Sequence, residues 1–127
     1  MNLREETVTD LQKYLKSSES KIDKVRYLRL MDERGLEPDP EKIPVGYEDL
    51  SYDAQLCLNI YGRLGNRVYG DVGFVGKDYT NLPILIKFHE IVDTDLLLEL
   101  LNIIDEYNVD KSQKAMKKEM DKIKNSK

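Results

Sequence analysis

Five of the chain's seven glycines lie within fifteen residues, in the segment GRLGNRVYGDVGFVGKDYTN that covers residues 62–81. Glycine adopts a positive φ without steric cost and lets a second backbone or a ligand approach closely. Ordering a glycine costs more conformational entropy than ordering other residues, so packing or a ligand must hold such a segment. Apolar residues on both sides repeat at helical spacing. The pattern therefore predicts a glycine-rich loop, residues 62–80, that interrupts a helical chain.

The composition indicates a single domain, in a protein that resides in a reducing compartment. The chain has 127 residues, of which 40% are hydrophobic and 35% are charged, and Cys57 is its only cysteine. A single cysteine excludes an intramolecular disulfide. No apolar segment follows Met1, and no apolar run approaches the roughly 18 residues that span a membrane. We expect a soluble, cytoplasmic protein without membrane contact.

The charge is unevenly distributed along the chain. Residues 110–127 carry seven lysines against Asp110, Glu119 and Asp121, a net charge of +4, which leaves −8 on residues 1–109. An acidic body argues against a nucleic-acid binder, because such proteins concentrate positive charge on one face. The pattern predicts a helical domain over 1–109 and a lysine-rich amphipathic helix with a frayed end over 110–127. This lysine-rich pattern has two interpretations: the helix is a solvated surface, or it docks into a groove of a partner.

Two helices are expected before the central part of the chain. Thr7 or Thr9 is a capping candidate for a helix over 8–18, and Ser20 with Asp23 resembles the start of a second helix over 21–34 that ends at Gly35. The apolar spacing also allows one continuous helix. A proline-containing linker, residues 36–47, then excludes regular helix.

The strongest helical pattern precedes the glycine-rich loop. Asp49 or Ser51 can cap this helix, and its apolar residues at spacings of 3 and 4 form one face: Leu50, Ala54, Cys57, Tyr61 and Leu64. After the loop, Asp78, Thr80 or Asn81 can cap a helix whose expected buried side comprises Leu82, Leu85, Phe88, Ile91 and Val92. Residues 95–107 are apolar nearly all round and predict the central core helix, which ends at Asn108. Asp110 with Gln113 then fits a capping box.

These elements predict a compact all-α bundle of five or six helices around helix 95–107. Strand-like sequence is limited to residues 67–75, where a short hairpin fits inside the loop. We find no internal repeat.

The glycine-rich segment lacks the known nucleotide-binding spacings. In a phosphate-binding loop G-x-x-x-x-G-K-[ST] that ended at Gly76-Lys77, Asp71 would occupy the first glycine and Asp78 the hydroxyl position. The preceding element also reads as a helix rather than a strand. We expect no cofactor.

Catalytic and metal-binding patterns are equally sparse. Cys57 lies on an apolar helix face, where a buried inert thiol is expected. His89 and Asp93 are spaced to share a helix face, but no second histidine or cysteine completes a metal site. Several pairs of acidic residues are adjacent in sequence, such as Asp105 and Glu106. A chain with 24 acidic residues contains such pairs by chance, so they do not indicate a catalytic site.

One segment resembles a known group of proteins. The features that carry the resemblance lie within residues 50–85: Leu50, Gln55, Ile60-Tyr61, Leu64, Gly76-Lys77-Asp78-Tyr79 and Leu82. This string is similar to a segment of small, mostly uncharacterised proteins of tailed bacteriophages, in which tryptophan and small residues often replace Val68-Tyr69. The resemblance implies a viral accessory or virion-associated protein in the cytoplasm of a bacterial host. No enzymatic activity can be inferred from this resemblance.

These observations predict a non-catalytic protein that binds a viral or host protein through loop 62–80 and its flanking helices. Tyrosine is enriched at protein interfaces, although these rings can instead cover and secure the loop. The residues expected to make the contact are Arg67, Tyr69, Phe74, Lys77 and Tyr79. Homo-oligomerisation is compatible with this surface. Two alternatives stay open: nucleic-acid binding by the basic C-terminal helix, and a small enzyme with a phosphate or metal site near Lys77, Asp78 and His89.

Overall fold

The computed structural model of the protein describes residues 2–19 and 22–125, in which the chain forms five α-helices, one 3₁₀-helix and a two-stranded antiparallel sheet. In chain order the elements are α1 (Leu3–Ser17), α2 (Lys24–Glu33), the 3₁₀-helix (Tyr47–Asp49), α3 (Tyr52–Arg63), β1 (Gly65–Tyr69), β2 (Gly73–Asp78), α4 (Leu82–Phe88) and α5 (Thr94–Asn125). The predicted all-α fold is therefore wrong. Most of the expected loop 62–80 is a β-hairpin, which is longer than the short one that residues 67–75 allowed.

The chain divides into two compact units, Met1–Leu56 and Cys57–Lys127. The buried apolar side chains of the first unit are Leu11, Leu15, Leu50 and Ala54, and those of the second are Cys57, Ile60, Tyr61, Leu64, Leu82, Leu97, Leu100, Leu101 and Ile104. All five residues of the apolar face predicted around α3 are buried. This prediction is confirmed because spacings of 3 and 4 place residues on one side of any α-helix.

Helix α1 begins earlier than the sequence pattern indicated. The side chain of Asn2 accepts a hydrogen bond from the backbone N–H of Glu5 at 2.8 Å and caps the helix. Thr7 lies inside α1, where its hydroxyl donates to the carbonyl of Leu3. The predicted start at Thr7 or Thr9 is wrong because a threonine hydroxyl can also be satisfied within a helix by the preceding turn.

Separate helices α1 and α2 are confirmed. Asp23 caps α2 by accepting a hydrogen bond from the N–H of Arg26 at 2.8 Å, whereas Ser20, the other expected start signal, lies outside the described residues. Gly35 ends α2 with φ +65°. The N–H groups of Gly35 and Leu36 turn back to carbonyls of the last helical turn, which is the Schellman arrangement.

The start of α3 also follows the sequence. The Ser51 hydroxyl accepts a hydrogen bond from the N–H of Ala54 at 3.3 Å. Asp49, the other candidate, instead accepts from the N–H of Gly46 and from the Lys24 ammonium, each at 2.9 Å. These two donors, the Gly46 amide first, hold the pKa of the Asp49 carboxyl below its usual value.

Helix α4 is shorter than expected and its predicted buried side is wrong. Leu82 is buried, but Phe88 is 77% exposed and Val92 is 94% exposed. The chain leaves the helix at Glu90, which has φ +53°, and the N–H of Ile91 donates to the carbonyl of Ile86 at 3.1 Å. Phe88 lies inside α4 but six residues after Leu82, a spacing that places it on another side of the helix, and the early termination leaves Val92 outside the helix.

Helix α5 continues through the break that was expected at Asn108. The Asn108 side-chain amide donates to the carbonyl of Ile104 at 3.0 Å, so the residue is accommodated inside the helix. The helix therefore crosses the expected 109/110 boundary without interruption, and residues 126–127 of the expected tail lie outside the described part. Across residues 2–19 and 22–125, no helix combines the length and the hydropathy that crossing a membrane requires.

Candidate functional site

The β-hairpin is the structural feature that replaces the expected loop. Its strands pair in antiparallel register, with Arg67 opposite Gly76 and Val68 opposite Phe74, so Val75 forms a bulge in β2. The N–H of Val72 donates to the carbonyl of Tyr69 at 3.1 Å and closes the turn. Gly73 follows with φ +84°. A turn followed by a left-handed glycine is a common hairpin connection, and it explains one of the five clustered glycines.

Strand β2 is held against α5 by hydrogen bonds to two side chains of the helix. The Gln113 amide donates to the carbonyls of Val72 and Phe74 at 3.1 and 3.2 Å. The Asp105 carboxylate accepts from the N–H of Lys77 at 3.1 Å. Gln113, expected in a capping box, thus makes contacts about forty residues away in sequence. The hairpin is fixed to α5 at its turn and along β2.

Two glycines allow this close packing. A Cβ at Gly76, which has φ +126°, would lie 3.0 Å from the Asp105 Oδ2 atom, and a Cβ at Gly73 would collide with the Met116 sulfur. No such crowding exists at Gly70, whose Cβ position has open space around it. The glycine cluster therefore serves helix–strand packing at Gly73 and Gly76.

Asp105 lies at the centre of a polar cluster that also contains two tyrosines. The Tyr61 hydroxyl donates to Oδ1 at 3.0 Å, and the Tyr79 hydroxyl donates to Oδ2 at 3.2 Å. Burial, followed by the nearby Asp105 charge, raises the pKa of Tyr79 to about 12. Burial also raises the pKa of Tyr61. Both phenols therefore stay neutral donors at physiological pH, which suits a structural cluster better than proton transfer.

Lys77 faces inward rather than toward solvent. The residue is 9% exposed, its Nζ donates to the carbonyl of Leu64 at 3.1 Å, and the same atom lies 4.6 Å from the centre of the Tyr61 ring. A cation over an aromatic face is attracted by the ring's electron density. The ammonium thus ties β2 to the end of α3.

The five residues expected to bind a partner fall into different environments. Arg67 and Tyr69 are exposed on β1, and Phe74 is half-buried opposite Val68. Lys77 is buried, and Tyr79 is half-buried and bonded to Asp105. The sequence interpretation missed Asp105 and Tyr61 as members of this region. The available signal was a carboxylate four residues after Leu101, on the buried side of a core helix.

The structure does not assemble the alternative phosphate or metal site near Lys77, Asp78 and His89. Lys77 donates to Leu64, and the other two residues make separate local contacts. The Asp78 carboxylate is exposed and accepts hydrogen bonds from the Thr80 hydroxyl and N–H, which lower its pKa. His89 caps the end of α4, while Asp93 caps the start of α5 through the N–H of Leu96, so the expectation that they share one helix face is wrong. Within residues 2–19 and 22–125, no three histidine, cysteine or acidic side chains cluster as metal ligands.

Cys57 is fully buried on α3. Its sulfur lies 3.9 Å from the carbonyl oxygen of Leu97. Burial raises the pKa of this thiol to about 12. The thiolate, which is the nucleophilic form, is therefore disfavoured at neutral pH.

Comparisons with protein-family models, with curated proteins and with solved structures find no match to this chain. The resemblance of residues 50–85 to tailed-phage proteins stays a prediction.

Proposed function

We propose that this protein is a non-catalytic accessory protein that binds another protein through strand β1 of its hairpin. The observation that carries the proposal is the contrast between the two strands. Every residue of β1 is exposed, including Val68 at 64% and Tyr69 at 57%, whereas β2 packs on α5. A strand with one neighbour leaves backbone donors and acceptors available along its outer edge, and a partner can pair with such an edge.

The composition of β1 supports this role. Arg67, Val68 and Tyr69 are consecutive, and Phe74 lies opposite Val68. Arginine and aromatic side chains are enriched in protein interfaces because they bury large areas and also form hydrogen bonds. Of the five residues expected from sequence, Arg67, Tyr69 and Phe74 would contact the partner.

The remaining two residues would preorganise the surface. Lys77 and Tyr79 connect β2 to Leu64 and to Asp105, respectively. A hairpin that is already held in place loses little conformational entropy on binding. Lys77 and Tyr79 thus support the contact indirectly.

The proposed setting is that of a phage accessory or virion-associated protein in a bacterial cytoplasm. It is supported by the resemblance of residues 50–85, a segment that includes α3 and the hairpin. The partner in this setting is a viral or host protein.

Affinity capture from bacterial lysate, with and without phage infection, tests the proposal. The double variant R67A/Y69A should lose the protein captured by the wild-type chain. A matched control, Y52A/R63A, removes the same two side-chain types from exposed positions of α3 and should retain it. Circular dichroism should be unchanged in both variants. Equal capture by R67A/Y69A and the wild-type chain would contradict the proposal.

A further inference from the structure

The last part of α5 extends beyond the packed part of the helix. The helix has 32 residues, but its buried side chains are Leu97, Leu100, Leu101 and Ile104. Each described residue from 117 to 125 is exposed. At 1.5 Å per residue these nine positions form a projection of about 13 Å. Isolated helical ends gain little stability without a packed face.

An apolar stripe continues along this projection from the hairpin turn. Met116 lies beneath Gly73, and Met120 and Ile123 follow it at spacings of 4 and 3. Residues at these spacings lie on one side of a helix. Met120 is 57% exposed and Ile123 is 58% exposed. The stripe that the hairpin covers at Met116 is thus left open one and two turns later.

The same projection carries an excess of positive charge. Residues 114–124 contain five lysines against Glu119 and Asp121. By helical spacing, Lys117 and Lys124 flank one side of the stripe, three residues before and four residues after Met120, and Asp121 lies next to them, farther from the stripe. Lys118 lies on the opposite side of the helix. On the other flank of the stripe, Glu119 pairs with Lys122 at 3.8 Å.

We propose that Met120, Ile123, Lys117 and Lys124 form a second docking surface that binds an acidic amphipathic helix of another protein. The apolar stripe of that helix packs on Met120 and Ile123, and its carboxylates pair with Lys117 and Lys124. This surface is separate from β1 and does not depend on the function proposed for it.

The charge, the extent of the apolar stripe and the residue types together favour this occupant over three others. A second copy would bring an equally basic segment against the stripe, which is unfavourable. A bilayer surface requires a wide apolar face with bulky anchoring side chains, whereas the open part of this stripe is one residue wide and contains two exposed residues, Met120 and Ile123. Nucleic-acid recognition relies on arginine and stacking aromatics, and the sequence after Tyr107 contains neither.

The test uses the full chain and a fluorescent synthetic helix with leucines at heptad a and d positions and glutamates beside them. Fluorescence anisotropy should detect binding to this peptide and much weaker binding to a matched peptide with lysines in place of the glutamates. K117E/K124E should weaken binding at least about fivefold, because two exposed ion pairs are reversed together. M120A/I123A should weaken it as well.

The control variant K118E reverses one lysine on the opposite side of the helix, half the charge change of K117E/K124E, and should alter affinity less than about twofold. R67A/Y69A should leave the affinity unchanged, which separates this surface from the one on β1. Three results would overturn the inference: equal binding of the acidic and basic peptides, tighter binding of phosphatidylglycerol vesicles or duplex DNA, or a dimer in sedimentation that M120A/I123A dissociates. Circular dichroism confirms that each variant keeps its helix content.

Discussion

The carboxylate of Asp105 on α5 accepts a hydrogen bond from the backbone N–H of Lys77 on β2 at 3.1 Å. The same carboxylate accepts hydrogen bonds from the hydroxyls of Tyr61 and Tyr79. One side chain therefore connects α3, β2 and the residue after β2 to the longest described helix. Together with the Gln113 amide, this carboxylate holds the hairpin against α5.

Replacing Asp105 by Asn should lower the free energy of unfolding by about 2 kcal/mol, because the amide removes the charge and one acceptor from three hydrogen bonds. Urea denaturation followed by circular dichroism measures the change. Glu106→Gln makes the same chemical change at the exposed neighbouring position and should stay within about 0.5 kcal/mol of the wild-type chain. Equal stability of the two variants would show that the cluster is not stabilising.

Gly76→Ala should destabilise the protein by about 2 kcal/mol. A Cβ there would lie 3.0 Å from Asp105 Oδ2, and a φ of +126° is strained for any other residue. Gly70→Ala is the control, since its added Cβ meets open space, and it should change the stability by less than about 0.5 kcal/mol. Thermal melts of the two variants give the comparison, and a similar melting temperature for both would refute the packing role of Gly76.

Lys77→Met should reduce the stability by about 1–2 kcal/mol while leaving partner binding by the folded protein intact. Methionine keeps the apolar stem but removes the donor to Leu64 and the cation over the Tyr61 ring. Lys87→Met on the exposed side of α4 is the matched control. Urea unfolding reports the stability, and capture at a low temperature reports the binding. Lost capture without lost stability would instead make Lys77 a contact residue.

The two tyrosines bonded to Asp105 should titrate above the ordinary pKa of a phenol. The pKa of Tyr79 is about 12 in the folded chain against an ordinary value of 10.0, and the pKa of Tyr61 is raised in the same direction. Their stabilising contribution is therefore complete below about pH 10 and is lost as the pH rises toward 12 and beyond. Absorbance at the phenolate band should show a late phase that coincides with unfolding. A Tyr79→Phe variant should lack part of that phase, and an absorbance titration without any late phase would contradict the cluster.

Glu90→Gly should stabilise the protein by about 0.5–1 kcal/mol. Glu90 has φ +53° at the end of α4, a left-handed conformation that glycine adopts without strain. Glu90→Ala removes the carboxylate but keeps the Cβ, so it should bring no comparable gain. Denaturation midpoints measured at one temperature distinguish the two variants. A larger gain from alanine would attribute the effect to charge instead of backbone conformation.

Local features of this chain were predictable where the structure depends on residues close in sequence. The buried face around α3, the Ser51 cap and the stop at Gly35 were all expected, because helical spacing and terminal hydrogen bonds involve neighbours within one or two turns. Predictions failed where the same residue type fits two local structures, such as a helix end and a helix interior. Asn108 was expected to end a helix, but its side chain bonds to Ile104 inside α5.

The candidate site was predictable only as a segment. The glycine cluster marked residues 62–80 as unusual, yet neither the strand pairing nor the inward position of Lys77 follows from that pattern. Lys77 contacts Leu64 and the Tyr61 ring, and spacing along the chain does not distinguish such a lysine from an exposed one. Asp105 was one carboxylate among 24 acidic residues until its three donors were located.

The sequence by itself determined that most of the chain is helical, the buried face around α3 and the place where the helical pattern stops, because these properties arise from local spacing and backbone preference. Only the tertiary structure decided that the glycine-rich segment forms a hairpin on α5. That outcome depends on Gly73 and Gly76 approaching Met116 and Asp105, about thirty to forty residues later in the chain. Contacts over such a distance leave no trace in local sequence patterns, because they stabilise the fold only when the packed partner is in place.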